Sequence, residues 1–299
     1  MAAKEPERPN ANGGNALPPR EPQKELVKER PAPAMFGAYA PGEIAQGIEE
    51  VGIAKAEGAL LPIFALAFLA GAYIALGAMF YTLVMTGADA SFGPARMLGG
   101  IAFSLGLILV LVGGAELFTG NVLIVLGWAA GRVATGALLR NWGIVYVGNF
   151  VGALGMAGLA WWAGIHHIGG DGVARTALGI AGAKEALPFW TAFVRGILCN
   201  VLVCMAVWLC FAARDVASKV LAIVFPIAAF VALGFEHSIA NMFFLPYATL
   251  LSLDPALAAK GVSLAGLVRN LVPVTLGNIV GGGVFVALSY FVIYRRGRR

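Results

Sequence analysis

Six long apolar runs, two of them interrupted in mid-course by charge, leave this chain few folds to choose from. They occupy residues 60–85, 97–128, 142–164, 188–211, 220–251 and 271–294. About twenty helical residues, at 1.5 Å each, cross a hydrocarbon core of ~30 Å, and four of the runs suit that length. The second and fifth each hold 32 residues, roughly 48 Å as a straight helix, more than ordinary tilt absorbs. One carries Glu116, Thr119 and Asn121 in its middle. The other carries Glu236, His237, Ser238 and Asn241, with Pro226 and Pro246 as further interruptions. Inside a bilayer, polar groups and freed backbone ends persist where protein surrounds them or where they line a cavity. The expectation is an all-α membrane protein of six transmembrane helices, the second and fifth broken. Composition agrees, with 59% of residues hydrophobic and 12% charged against about 25% charged in soluble domains. The net charge of +5 sits in short loops and the terminal arginines, so it implies a lipid bilayer as partner and no nucleic acid.

Two motifs recur in order. Gly114-Ala-Glu116-Leu-Phe-Thr-Gly-Asn121 and Gly234-Phe-Glu236-His-Ser-Ile-Ala-Asn241 share Gly, Glu and Asn, 120 residues apart. Arg140-Asn141 with Gly148-Asn149 recurs 129 residues later as Arg269-Asn270 with Gly277-Asn278. Each half holds three runs, an odd number, so two inverted three-helix repeats are expected. Six crossings put both termini on one side. That side would carry Lys55, Arg132, Arg140, Arg214, Lys219 and the arginines at 295, 296, 298 and 299, nine cations. The other would carry six: Arg96, Arg175, Lys184, Arg195, Lys260 and Arg269. The bias points both termini to the cytoplasm, across a plasma (inner) membrane.

Residues 1–42 are too polar to order themselves and read as a cytoplasmic tail with no apolar signal core. Residues 43–57 read as an amphipathic interfacial helix. Ile44, Ile48, Val51 and the stem of Lys55 form its apolar face, and Glu43, Gln46, Glu49, Glu50 and Glu57 lie elsewhere. The transmembrane domain then spans 58–295, and 296–299 form a basic tail.

A charge at mid-bilayer costs about 2.5–3.5 kcal/mol on insertion scales and persists where it is paired or lines a pathway. Glu116 and Glu236 occupy equivalent places, which suits a shared scaffold role: capping the N–H groups freed at the breaks. His237 has no counterpart, since Leu117 stands opposite it in the first half. The asymmetric residue is the candidate for function, because imidazole titrates nearest neutrality and can donate a hydrogen bond or proton to a small anion. Cys199, Cys204 and Cys210 match no metal spacing and read as small packing residues. His166 and His167 fall in a loop and cannot make a metal site alone. No cofactor or metal is implied. An intramembrane enzyme would need a nucleophile or ligand cluster that the spans lack, and a water or glycerol channel would present paired Asn-Pro-Ala motifs, absent here.

The runs Phe103-Ser-Leu-Gly-Leu107, Gly114–Asn121, Gly196-Ile-Leu-Cys-Asn200, Gly234–Phe243 and Pro273-Val-Thr-Leu-Gly-Asn-Ile-Val-Gly-Gly-Gly283 resemble those of the formate/nitrite transporter family, over roughly residues 50–295. The resemblance implies an aquaporin-like protomer in a homopentamer, with one pore per protomer for small monovalent anions (formate, nitrite or hydrosulfide) and protons as possible co-substrates. It places His237 at the central pore histidine, with Thr119 and Asn200 as its alternative hydrogen-bond partners. It makes Phe103 and Leu107 a constriction on one side, in a loop, and Phe230 the constriction on the other. Leu117 and Val203 match further pore-lining positions, Glu236 and Asn241 a network that fixes the loop, and Lys184 a vestibule cation. Glu116 departs from members that carry Asp.

Overall fold

The computed structural model describes residues 37–255 and 263–296, with Met1 and Leu257. Most of the expected 1–42 tail, Lys260 and residues 297–299 lie outside them. The described residues are helical throughout, without strands. The helices are α1 (Pro41–Glu57), α2 (Leu60–Met85), α3 (Gly93–Gly113), α4 (Phe118–Asn121), α5 (Val125–Ala129), α6 (Thr135–Trp162), α7 (Ile168–Glu185), α8 (Phe189–Ala212), α9 (Val216–Ala232), α10 (Ser238–Leu251) and α11 (Leu264–Val280). A 3₁₀ turn, Val122–Ile124, joins α4 to α5, and π-helical turns at Gly281–Leu288 and Phe291–Arg295 prolong α11.

Five of these stretches are long and apolar enough to cross a membrane: α2, α3, α6, α8 and Leu264–Arg295. Leu61 is 77% and Trp162 81% exposed, as side chains facing lipid would be. The chain is therefore a multi-pass membrane protein. Two boundaries move furthest. α6 and α11 each begin seven residues before the expected runs, because Arg140-Asn141 and Arg269-Asn270 look like loop by hydropathy yet lie on helices with both asparagines buried.

Both over-long runs are broken, at residues 114–117 and 233–237. Each break contains a glycine in the left-handed region, Gly114 (φ 81°) and Gly234 (φ 71°), 120 residues apart. Ala115 N donates to Val110 O at 2.9 Å and Phe235 N to Phe230 O at 3.0 Å, closing the helix ends. The prolines do not make the breaks: Pro226 and Pro246 sit inside α9 and α10. Nor is 103–107 a loop. It lies within α3, so Phe103 and Leu107, four apart, share a helix face.

α2 packs on α3 and α6, α8 on α9 and α11, and α3 lies against α9. Close approach sets these pairs: a Cβ on Gly152 would overlap Phe68 O, and one on Gly281, 129 residues later, would overlap Ile197 O.

α1 starts two residues before the expected boundary, with Pro41 in the first turn and Ala40 N donating to the Glu43 carboxylate at 2.7 Å. Its inward face is not the one expected. Ile44 and Ile48 are buried, but Val51 is 40% exposed and Glu49 only 1%. The face packs on protein, and Glu49 accepts from Arg132 Nη1 at 2.8 Å and Arg295 Nε at 2.7 Å. Burial pushes this carboxyl up, but the two guanidinium groups outweigh it and hold Glu49 below its usual value.

Candidate functional site

Each break is held by the same set of side chains, built twice. In the first, Lys55 Nζ lies 3.1 Å from Glu116 Oε1 and 3.0 Å from Asn121 Oδ1. Asn121 Nδ2 donates to Glu116 Oε2 at 2.6 Å and to Asn141 Oδ1 at 3.0 Å, and Asn141 Nδ2 donates to Lys55 O at 2.9 Å. In the second, Lys184 Nζ lies 3.0 Å from Glu236 Oε1. Asn241 Nδ2 donates to Glu236 Oε2 and Asn270 Oδ1, both at 2.7 Å, and Asn270 Nδ2 to Lys184 O at 2.9 Å. Pairing each carboxylate with an ammonium and an amide is what makes a buried charge tolerable.

The freed backbone donors are capped by asparagines rather than by the glutamates. Phe118 N donates to Asn149 Oδ1 and Ser238 N to Asn278 Oδ1, both at 2.9 Å. Each asparagine returns Nδ2 to the carbonyl of the glutamate in its own break, at 2.9 and 3.0 Å. The capping role expected of Glu116 and Glu236 is thereby corrected: carboxylates satisfy lysines, while neutral amides, able to donate and accept together, hold backbone.

The two sets differ in one respect. Asn121 Oδ1 accepts from its lysine, whereas buried Asn241 Oδ1 has no partner among the described residues. Among the described residues Lys184, whose side chain is 15% exposed, hydrogen-bonds Glu236 alone, with its Nζ 5.4 Å from the Phe244 ring centroid, and keeps donor capacity.

His237 stands where the breaks meet. Its Nδ1 accepts from Ala240 N at 3.0 Å, capping α10, and its Nε2 lies 3.1 Å from Thr119 Oγ1. An Nδ1 that accepts a backbone N–H carries no proton, so the neutral ring holds its hydrogen on Nε2 and donates to Thr119. Asn200 does not reach the histidine. It donates to Thr119 O at 3.2 Å and Asn278 O at 2.7 Å.

Two cavities flank this junction. One, of about 240 Å³, is lined by Lys55, Leu107, Glu116, Leu117, Gly120 and Asn121 among others. The second, of about 110 Å³, is lined by Arg96, Phe103, Lys184, Phe230, Glu236 and His237 among others, and shares Lys184, Arg96 and Tyr81 with a wider mouth of about 470 Å³. The expected grouping of apolar residues is corrected here. Phe103 meets Phe230 edge-on at 5.7 Å, and Phe230 stacks on His237 at 5.9 Å. One helical turn on, Leu107 lines the other cavity with Leu117. Val203 is buried and lines neither cavity.

Comparison with known proteins gives a consistent result. The profile described as formate/nitrite transporter matches residues 42–292. The chain is 41% identical over 274 residues to the formate channel FocA of Escherichia coli strain K12, covering 87% of this chain and 96% of that one. It is likewise 41% identical over 272 residues to a probable formate transporter of Methanothermobacter thermautotrophicus, covering 85% and 96%. Among solved structures, a pentameric formate channel with formate bound is similar at a TM-score of 0.74 and 41% identity, over 79% of this chain and 97% of that one. An FNT family ion channel is similar at 0.72 and 30% identity, over 85% and 98%.

Proposed function

The chain belongs to the formate/nitrite transporter family, and from that membership and the geometry above we propose that it is a membrane pore for small monovalent anions, with formate as substrate. The observation that carries the reading is the Thr119–His237 pair, one hydrogen-bond donor set between two lysine-bearing cavities. Relatives bearing formate names favour formate over nitrite or hydrosulfide.

An anion entering past Lys184 meets the aromatic pair Phe103 and Phe230, which sheds its hydration at a cost, and then His237. The Nε2–H now given to Thr119 is the donor that would hold a formate oxygen. Moving a bare anion against a negative interior costs ~2.3 kcal/mol per 100 mV. A proton carried with the anion removes that cost, which is our reading of import. Protonating His237 itself requires Nδ1 to release Ala240 N, so proton uptake and the start of α10 are linked. Leu107 and Leu117 form the second constriction, on the Lys55 side.

We read the architecture as six crossings in two inverted repeats, the fifth composed of α9 and α10. The duplicated hydrogen-bond sets, offset by 120 and 129 residues, support it. Both termini then lie on the cytoplasmic face of the inner membrane, and five protomers assemble as in the similar formate-bound channel. Reconstituted protein tests this directly: liposomes should take up formate faster as pH falls, and wild-type vesicles no more permeable to formate than empty ones would refute the reading.

A further inference from the structure

The Lys184-side entrance holds donors that the duplicated scaffold does not explain. Arg96, in the first turn of α3, and Tyr81, on α2, line both the second cavity and its mouth. Arg96 Nε donates to Ala232 O, and Nη1 reaches Ala90 O at 3.4 Å. Among the described residues its Nη2 engages no acceptor, and no carboxylate lies within ion-pair reach of the guanidinium. Tyr81 makes no hydrogen bond through its hydroxyl among the described residues. Its ring is fixed edge-on between Phe103 at 6.5 Å and Phe244 at 6.0 Å.

Charge singles out this side. Arg96, Lys184 and Arg195 line the mouth against one carboxylate, Glu236; the other cavity balances Lys55 with Glu116. The repeat offsets map Arg96 and Tyr81 onto Val216 and Cys210, so the other half has no such donors.

We propose that Arg96 and Tyr81 form a monocarboxylate-binding subsite at the Lys184-side entrance, ahead of the Phe103–Phe230 pair. It rests on the anion-pore reading and deepens it. One carboxylate oxygen takes the free guanidinium N–H and the other the phenol O–H, charge-assisted bonds that replace water before the aromatic pair is crossed. The cavity of about 110 Å³ exceeds severalfold the ~30 Å³ a water occupies in the liquid, room for a three-heavy-atom anion. Because the subsite lies outside the constriction on one side only, it should act on transport in one direction.

The test is formate flux into vesicles of defined orientation, for wild type, Tyr81→Phe, Arg96→Lys and Arg96→Gln. Tyr81→Phe and Arg96→Gln should raise half-saturation about threefold to tenfold from the Lys184 side, the range a single hydrogen bond commands. From the Lys55 side it should stay within about twofold, and Arg96→Lys should fall between wild type and Arg96→Gln. Unchanged half-saturation in Tyr81→Phe from the Lys184 side, or an equal change from both sides, would overturn the subsite. Tyr81→Phe removes a hydroxyl that holds nothing among the described residues, so it decides the matter even if Arg96→Gln fails to assemble. Absent wild-type flux would instead sink the anion-pore reading, and the subsite with it.

Discussion

At the scale of single residues, His237 has two separable duties, capping α10 through Nδ1 and presenting a donor through Nε2. Asparagine can retain the first, since its side-chain oxygen accepts a backbone N–H well at a helix start, but it does not titrate. His237→Asn should therefore assemble with near-wild-type thermal stability and lose most of the pH dependence of formate flux between pH 5 and 8. A pH profile unchanged in the variant would remove the histidine from proton coupling. His237→Ala loses the cap too and should cost about 1 kcal/mol more in stability. Lys184 also does two things, neutralising Glu236 and facing the mouth. Lys184→Ala strands a buried carboxylate and should destabilise by roughly 3 kcal/mol. The double variant Lys184→Ala/Glu236→Gln should recover stability while keeping a half-saturation for formate raised over wild type, by more at low salt, since a cation lining the mouth acts over ~8 Å at physiological ionic strength. An equal rise over wild type at both salt concentrations would leave the lysine a structural role alone.

Helix α1 shows how charge can be put to use inside a packed face. Glu49 is buried between Arg132 and Arg295, from the α5–α6 connection and the π-helical end of the chain, so one carboxylate ties α1 to two distant segments. Its pKa is held below the usual carboxylate value. The tie therefore contributes fully above the unfolded pKa and is lost only as pH falls through the lower folded one. Docking of α1 should persist at pH 5. Glu49→Gln should loosen α1 at neutral pH, read as faster hydrogen exchange across 41–57. Exchange no faster than wild type would show that apolar packing alone holds the helix. The sequence could not supply this contact, because helical periodicity ranks residues by hydropathy and sends every glutamate outward. Two arginines, one 246 residues away, reverse that preference. The breaks were legible for the opposite reason: Glu116 and Glu236 announce themselves within apolar runs. Their lysine partners were not, although subtracting 129, the offset of the asparagine motif, from Lys184 gives Lys55.

For the molecule as a whole, the proposed pore has two constrictions in series, on either side of Thr119 and His237. Phe103 with Phe230 faces the Lys184 cavity, and Leu107 with Leu117 faces the Lys55 cavity. Spacing on α3 places Phe103 and Leu107 on one face, which reads as a single ring; only the meeting of α3 with α9 and with the first break assigns them to different cavities. Resistances in series add, so opening one barrier leaves the other to limit a larger solute. Phe103→Ala/Phe230→Ala and Leu107→Ala/Leu117→Ala should each raise lactate flux by less than about threefold. Combining all four should raise it more than tenfold and flatten the pH profile, because hydrated anions no longer need to shed water or charge to pass. Each Phe→Ala costs about 3–5 kcal/mol in a packed core, so the oligomer is checked by size exclusion before flux is read. If either pair alone gives the full lactate flux, the pore has one barrier, and the other pair serves packing.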